Sequence, residues 1–207
     1  MIFSRLGYYQ PRSFAIICDY LSRVVSKEHY AEGTSFYIGK IEMVASTGTY
    51  IDSPFHRYEE GEDLSELALE SMAEIDGLVV LVNSAIAEIE ESAFSNLDVR
   101  DRAVLIPTEW SQHWGTDRYF VEHRHLVESA AEYLKNNGAR IVGIESYNID
   151  DVSDSRRPVH TILLAVGILI VEHMCNLNLV PDDGFQFSAV AVNIQAFGTF
   201  SVRAYAS

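Results

Sequence analysis

Apolar residues recur at Phe14, Ile17, Leu21 and Val24, in steps of three and four that match a helical period and predict an amphipathic helix over residues 13–25. Residues 36–44 follow with Phe36, Ile38, Ile41 and Met43 in a β-like stretch broken by Gly39, and open directly into a polar, turn-rich segment, 45–61. Residues 64–72 read as a short helix. Residues 77–82 read as a buried strand, with five of six positions apolar and three of them valine. A second such strand lies within 101–106. Residues 126–136 form a helix stopped by the Asn-Asn-Gly ending at Gly138, and 140–144 form the strand after it. The long apolar run that follows predicts a helix over 160–177, and 184–206 alternates enough for one or two strands with a turn at Gly198.

Strand, helix, strand is the signature of a βαβ unit, and the absence of internal repeats or a low-complexity linker favours one α/β domain. With 207 residues, 48% of them hydrophobic and 22% charged, the chain can bury a real core. The 30 acidic residues against 15 basic ones give a net charge of −15 and a pI near 4.7. Such a field repels phosphate backbones and anionic lipid surfaces, which argues against nucleic acid and membrane as partners. Cys18 and Cys175 lie far apart with no zinc-finger spacing around them. Residues 1–10 lack a secretory pattern, and the longest apolar run, 162–171, is too short to span a bilayer. Together these predict a cytoplasmic protein.

Candidate chemistry concentrates in Ser46-Thr47-Gly48-Thr49-Tyr50-Ile51-Asp52-Ser53-Pro54-Phe55-His56. A carboxylate and an imidazole four positions apart, on a loop fixed by Gly and Pro, suit a divalent cation or proton transfer near neutral pH, though a loop Asp and His with no function are also common. His160 and Glu172 stand twelve residues apart. On one continuous helix they would be ~18 Å apart along the axis, so they share an ion only if His160 precedes the helix, which Pro158 allows. A carboxylate at Glu172 in a buried helix costs on the order of several kcal/mol unless it is paired or bound to a cation; otherwise it faces solvent or pairs with an arginine. His113, His123 and His125 cluster around Trp114 and offer either further ligands or a solvated loop. Phe55, Tyr58, Trp110 and Trp114 are either core or the wall of a pocket for a flat ring.

The loop motif resembles that of the cyclase family of metal-dependent hydrolases, which includes bacterial kynurenine formamidase. There His-x-Gly-Thr-His-x-Asp-Ala-Pro-x-His carries metal ligands at the first His, the second His and the Asp. His160 and Glu172 match the family's later ligand pair. Gly143-Ile144-Glu145-Ser146 resembles its Gly-Ile-Asp-Ser, the stretch 103–116 its block after a central strand, and Val202-Arg203-Ala204 its C-terminal end. Ser46 and Tyr50 stand where the family has its first two ligand histidines.

The resemblance implies a mixed sheet with flanking helices, of the swivelling β/β/α type, over residues 36–207; residues 1–35 match the family poorly and are expected as an N-terminal extension, helical by the period over 13–25. It implies hydrolysis of a small amide or ester of the arylformamidase type. Asp52, His160 and Glu172 would hold a divalent metal, zinc ahead of manganese, as one ion or none. Metal-bound water would be the nucleophile, His56 the general base and acid, and Tyr50, Phe55 and Trp110 substrate contacts. It also implies a homodimer or homotetramer. The alternative is a relative without catalysis that binds a small ligand and no metal, with Tyr50 filling the space of the lost ion.

Overall fold

The computed structural model describes residues 15–83 and 86–207. Its strands are β1 (Ala15–Leu21), β2 (Ile38–Met43), β3 (Tyr50–Asp52), β4 (Ile75–Val79), β5 (Glu88–Ile89), β6 (Ala103–Ile106), β7 (His125–Leu126), β8 (Ile141–Ile144), β9 (Leu169–Glu172), β10 (Asp183–Ser188), β11 (Thr199–Ser201) and β12 (Tyr205–Ala206). Its α-helices are α1 (Arg23–Ser26), α2 (Glu128–Asn136) and α3 (Pro158–Leu164). Eight strands form one mixed sheet in the order β11-β3-β9-β8-β6-β4-β10-β12. The four central strands are parallel, and antiparallel strands flank them on both sides. The expected α/β architecture is therefore present, and β6-α2-β8 and β8-α3-β9 are the βαβ units.

Pleating separates the sheet's side chains into two cores. On one face Val104, Val142 and Ile170 pack under α2 and α3, against Leu134, Leu163 and Leu164. On the other, Ile51, Leu105 and Val171 pack against Leu64, Met72, Phe185 and Phe187. In β3, Ile51 faces the second core, so Tyr50 and Asp52 face the helical side, as does Glu172 at the end of β9.

Three expected helices are corrected. Residues 160–177 do not form one helix. α3 ends at Leu164, where Ile168 N–H reaches back to the Leu163 carbonyl (3.1 Å) and Gly167 adopts φ +77°. That is a glycine-terminated helix end, and the chain then extends as strand through the β-branched Ile170 and Val171. Period alone could not divide the run, because helix and strand halves are both buried. Residues 64–72 form turns and a single 3-10 turn, Leu69–Ser71.

The helix expected over 13–25 falls partly outside the described residues, at 13 and 14. The rest is β1, which pairs antiparallel with β2 from Ala15↔Met43 to Leu21↔Ile38, followed by the short α1. The hairpin stands outside the large sheet and exposes nearly every side chain, Ile16, Ile17, Tyr20, Ile38 and Ile41 among them. No helix among the described residues is long and apolar enough to cross a membrane.

Candidate active site and metal centre

The C-terminal ends of β8 and β9 open, together with β3, into a cavity of about 380 Å³, the position at which parallel sheets commonly bind ligands. Its inner end is made by Tyr50, His56, His160 and Glu172, and its walls include Ser46, Phe120, Tyr147 and His173. Asp52 lies at the same end, fully buried.

Three elements bring the polar groups together. In β3 and β9, Tyr50 sits opposite Glu172, and the Tyr50 hydroxyl donates to Glu172 Oε2. In β11 and β3, Thr199 sits opposite Asp52, and its hydroxyl donates to Asp52 Oδ1. α3 contributes His160 from its first turn, rather than from the chain before the helix. His160 Nε2 lies 3.7 Å from Asp52 Oδ2 and 3.8 Å from Glu172 Oε1. The twelve-residue spacing thus works because a helix end and a strand end meet, not because the two residues share a helix.

Each group has a defined hydrogen-bonding state. Asp150 accepts from the backbone N–H of Val159 (2.7 Å) and His160 (3.1 Å), anchoring the start of α3, and its Oδ2 is 2.6 Å from His160 Nδ1. The Nδ1 proton is therefore held by a carboxylate and Nε2 faces the site, the arrangement that orients metal-binding histidines. Thr199 Oγ1 is also 2.7 Å from His56 Nδ1. With its own proton given to Asp52, the hydroxyl accepts from His56, which places the His56 proton on Nδ1 and leaves Nε2 basic. Gly198 makes this approach possible, since a Cβ there would come within 2.2 Å of the His56 backbone nitrogen.

Burial dominates the electrostatics. It pushes the Glu172 carboxyl up to about 7, with the His160 charge opposing and the Asp52 charge adding to the rise. Burial works to lower His160, but the hydrogen bond to Asp150 and the nearby Asp52 and Glu172 carboxylates overcome it and raise the imidazole to about 10. Burial, then the charges of Glu172 and Asp52, raises the Tyr50 phenol, which stays protonated as a donor. His173, whose Nε2 donates to the Tyr147 carbonyl (2.7 Å), is pushed by burial down to about 4 and is neutral.

The donor set suits a cation. Asp52 Oδ2 is buried without a hydrogen-bond partner. Asp52, His56 and His160 each offer a ligand atom, all within 4.8 Å of one another. Uncompensated buried carboxylate oxygen beside imidazole nitrogen is what a divalent ion would satisfy. Glu172 is neither solvent-facing nor paired with arginine; Tyr50 and the Ile149 N–H hold its two oxygens.

Other expected residues fall elsewhere. Phe55 and Trp110 do not line the cavity. Trp110 is buried, and its indole N–H donates to the Tyr119 carbonyl (3.0 Å). The aromatic wall comes instead from Phe120, Tyr147 and His173, with Tyr147 stacked on His173 at 5.6 Å. His123 bonds the Asp150 carbonyl, His125 the His123 carbonyl, and His113 packs on Trp110; none joins the Asp52 group. Asp150 and Thr199 carry no motif that would have singled them out, whereas His173 could have been suspected as the neighbour of Glu172.

A family model described as "Putative cyclase" matches residues 10–151. The kynurenine formamidase of Geobacillus thermodenitrificans is 29% identical over 154 residues, 74% of this chain and 72% of that protein. Among solved structures, isatin hydrolase A from Labrenzia aggregata, bound to benzyl benzoate, superposes with a TM-score of 0.82 at 18% identity, over 100% of this chain and 92% of that one. A potential metal-dependent hydrolase with cyclase activity gives 0.79 at 20% identity, over 99% and 94%. At these identities the structural likeness speaks for the fold.

Proposed function

Because the chain belongs to the cyclase family, whose relatives here include kynurenine formamidases, we propose that it is a metal-dependent hydrolase of a small amide or ester, of the arylformamidase type. The observation that carries this reading is the partnerless, buried Asp52 Oδ2 facing His160 Nε2 at 3.7 Å. Asp52 and His160 would hold a divalent ion, zinc ahead of manganese, with Glu172 as third donor. When bound, such an ion acidifies water and polarises a carbonyl. His56 Nε2 takes the proton of the attacking water and returns it to the leaving nitrogen, while Thr199 holds the opposite nitrogen. Tyr147, Phe120 and His173 pack the substrate ring and exclude water. The exposed hairpin supports a homodimer or homotetramer in which another subunit covers β1 and β2, with residues 1–35 serving the assembly and 36–207 the chemistry, in the cytoplasm.

Elemental analysis of protein purified without chelator, with turnover of N-formylkynurenine and related amides, tests this. About one ion per chain, lost in His160→Ala and Glu172→Gln but kept in His56→Ala, is expected. Loss in His56→Ala with retention in Glu172→Gln would make His56 the third donor. No ion after reconstitution and no turnover across the panel would sink the hydrolase reading.

One observation favours a second reading. Tyr50 occupies the position of a ligand histidine in the resembling motif and its hydroxyl engages Glu172 directly, as in a relative that binds a small ligand without metal. Restoring Ser46→His and Tyr50→His would then raise bound metal from none and confer activity, whereas loss of existing activity would support a rebuilt single-ion site.

A further inference from the structure

The cavity's inner end carries Asp52, His160 and Glu172, while Arg57 and Arg157 both line its wall together with Asn148. Among the described residues only Arg102 and Arg156 of ten arginines form ion pairs, so what sets Arg57 and Arg157 apart is their place on the cavity wall. Among the described residues Arg57 and Arg157 form no ion pair, and residues 1–14, 84 and 85, which lie outside them, contain no Asp or Glu.

Both side chains are nevertheless held. Arg57 Nε donates to Thr161 Oγ1 (3.1 Å), and Arg157 Nη1 donates to Asn148 Oδ1 (3.4 Å) and to the Asp151 carbonyl (3.2 Å). These neutral acceptors position each guanidinium without neutralising it and leave its other N–H groups unspent. Arg157, His160 and Thr161 stand at i, i+3 and i+4, so Arg157, the His160 imidazole and the Thr161 anchor of Arg57 share one side of the first turn of α3. The two cations are thereby tied to the same element that presents Nε2 of His160.

We propose that Arg57 and Arg157 read an anionic group on the substrate, selecting aromatic amides that carry a carboxylate on or beside the ring. The inference rests on the hydrolase reading of this cavity. A planar guanidinium matches a carboxylate with two parallel hydrogen bonds, and the flat faces of Tyr147 and Phe120 suit the ring that bears it. The arginines stand on the wall, apart from Asp52 and His160 at the inner end, so an anion held there turns the amide inward towards His160 and His56.

The pair N-formylanthranilate and formanilide tests this, since both offer the same aryl formamide and only the first has a carboxylate. The wild-type protein is expected to favour N-formylanthranilate by about tenfold or more in kcat/KM, falling steeply with added salt. In Arg57→Gln/Arg157→Gln that ratio should collapse towards one. A ratio near one in the wild type, or one unchanged in the double variant, overturns the assignment. If neither amide is hydrolysed, the hydrolase reading fails by itself, and calorimetric binding of anthranilate against aniline decides the arginines. Anthranilate affinity about tenfold weaker in the double variant supports them, and equal affinity in both proteins rejects them.

Discussion

Replacing Thr199 by valine isolates the hydroxyl that joins Asp52 to His56. Valine keeps the shape and the β-branching of β11, so the strand and its pairing with β3 persist. What disappears is the donor to Asp52 Oδ1. Since Asp52 Oδ2 already has no partner, the change leaves a fully buried carboxyl group with none at either oxygen in chelated protein. Removing a hydrogen bond to such a group costs about 1.5–3 kcal/mol, so a loss of about 2 kcal/mol is expected by urea unfolding, a roughly 30-fold change in the folding equilibrium. A double-mutant cycle with Asp52→Asn should show coupling of about 1 kcal/mol or more. In metal-loaded protein the stability loss shrinks, because the ion satisfies Asp52, but kcat still falls by about tenfold or more as the His56 ring loses the contact that fixes its proton on Nδ1. A loss below about 0.5 kcal/mol without metal, with kcat unchanged, would refute the account of Thr199 as the link between the two residues.

Asp150→Asn should weaken metal binding by about 10- to 100-fold in a competition titration against a chromogenic chelator, because the His160 ring loses the carboxylate that orients it. Chelated protein should lose stability as pH rises. His160, raised to about 10, contributes stability present in full below its unfolded value of 6.5 and lost as pH climbs through 10. Glu172, lifted to about 7 from 4.5, also binds its proton more tightly when folded, so its contribution declines between those values in the same direction. His173, lowered to about 4, contributes with the opposite sign but only below 6.5, so urea midpoints measured from pH 7 to 9 check the fall, and a rising midpoint there would contradict it. Gly167→Ala should cost about 1 kcal/mol in thermal unfolding through its left-handed φ alone, since its Cβ would meet nothing within 4 Å. Ile17→Glu/Ile41→Glu, a cross-strand pair on the exposed hairpin, should shift the mass in light scattering towards the monomer.

Strands with strong β-branched runs were legible in the chain, β6 and β8 above all, as was α2 with its Asn-Asn-Gly stop. The region around β1 was misleading because Phe14, Ile17, Leu21 and Val24 keep helical spacing while the β1–β2 ladder decides the structure, a tertiary contact that no local pattern records. The 160–177 run failed for a narrower reason: an unbroken apolar run does not reveal the point at which Gly167, with its positive φ, ends α3. That Asp52, His56, His160 and Glu172 gather at one end of the cavity was foreshadowed by the loop motif for the first two and by the cost of a carboxylate in an apolar run for Glu172. Thr199 and Asp150 did not, since a threonine opposite an aspartate and a carboxylate beneath a helix start are relations of register and packing. Phe55 and Trp110 were expected in the pocket from the resemblance, but Phe55 is half-buried, Trp110 is buried, and neither lines the cavity.

The facing of Tyr50 with Glu172 and of Asp52 with Thr199 ties the chemistry to the alignment of three neighbouring strands. Sliding β3 by one position would turn Ile51 into the cavity and carry Tyr50 and Asp52 to the opposite core, breaking both polar pairs. A chain that has mispaired these strands therefore cannot retain partial function while awaiting repair. The appearance of a functional cavity during refolding should coincide with the last step of sheet alignment, and recovered ligand binding can serve as a clock for that step.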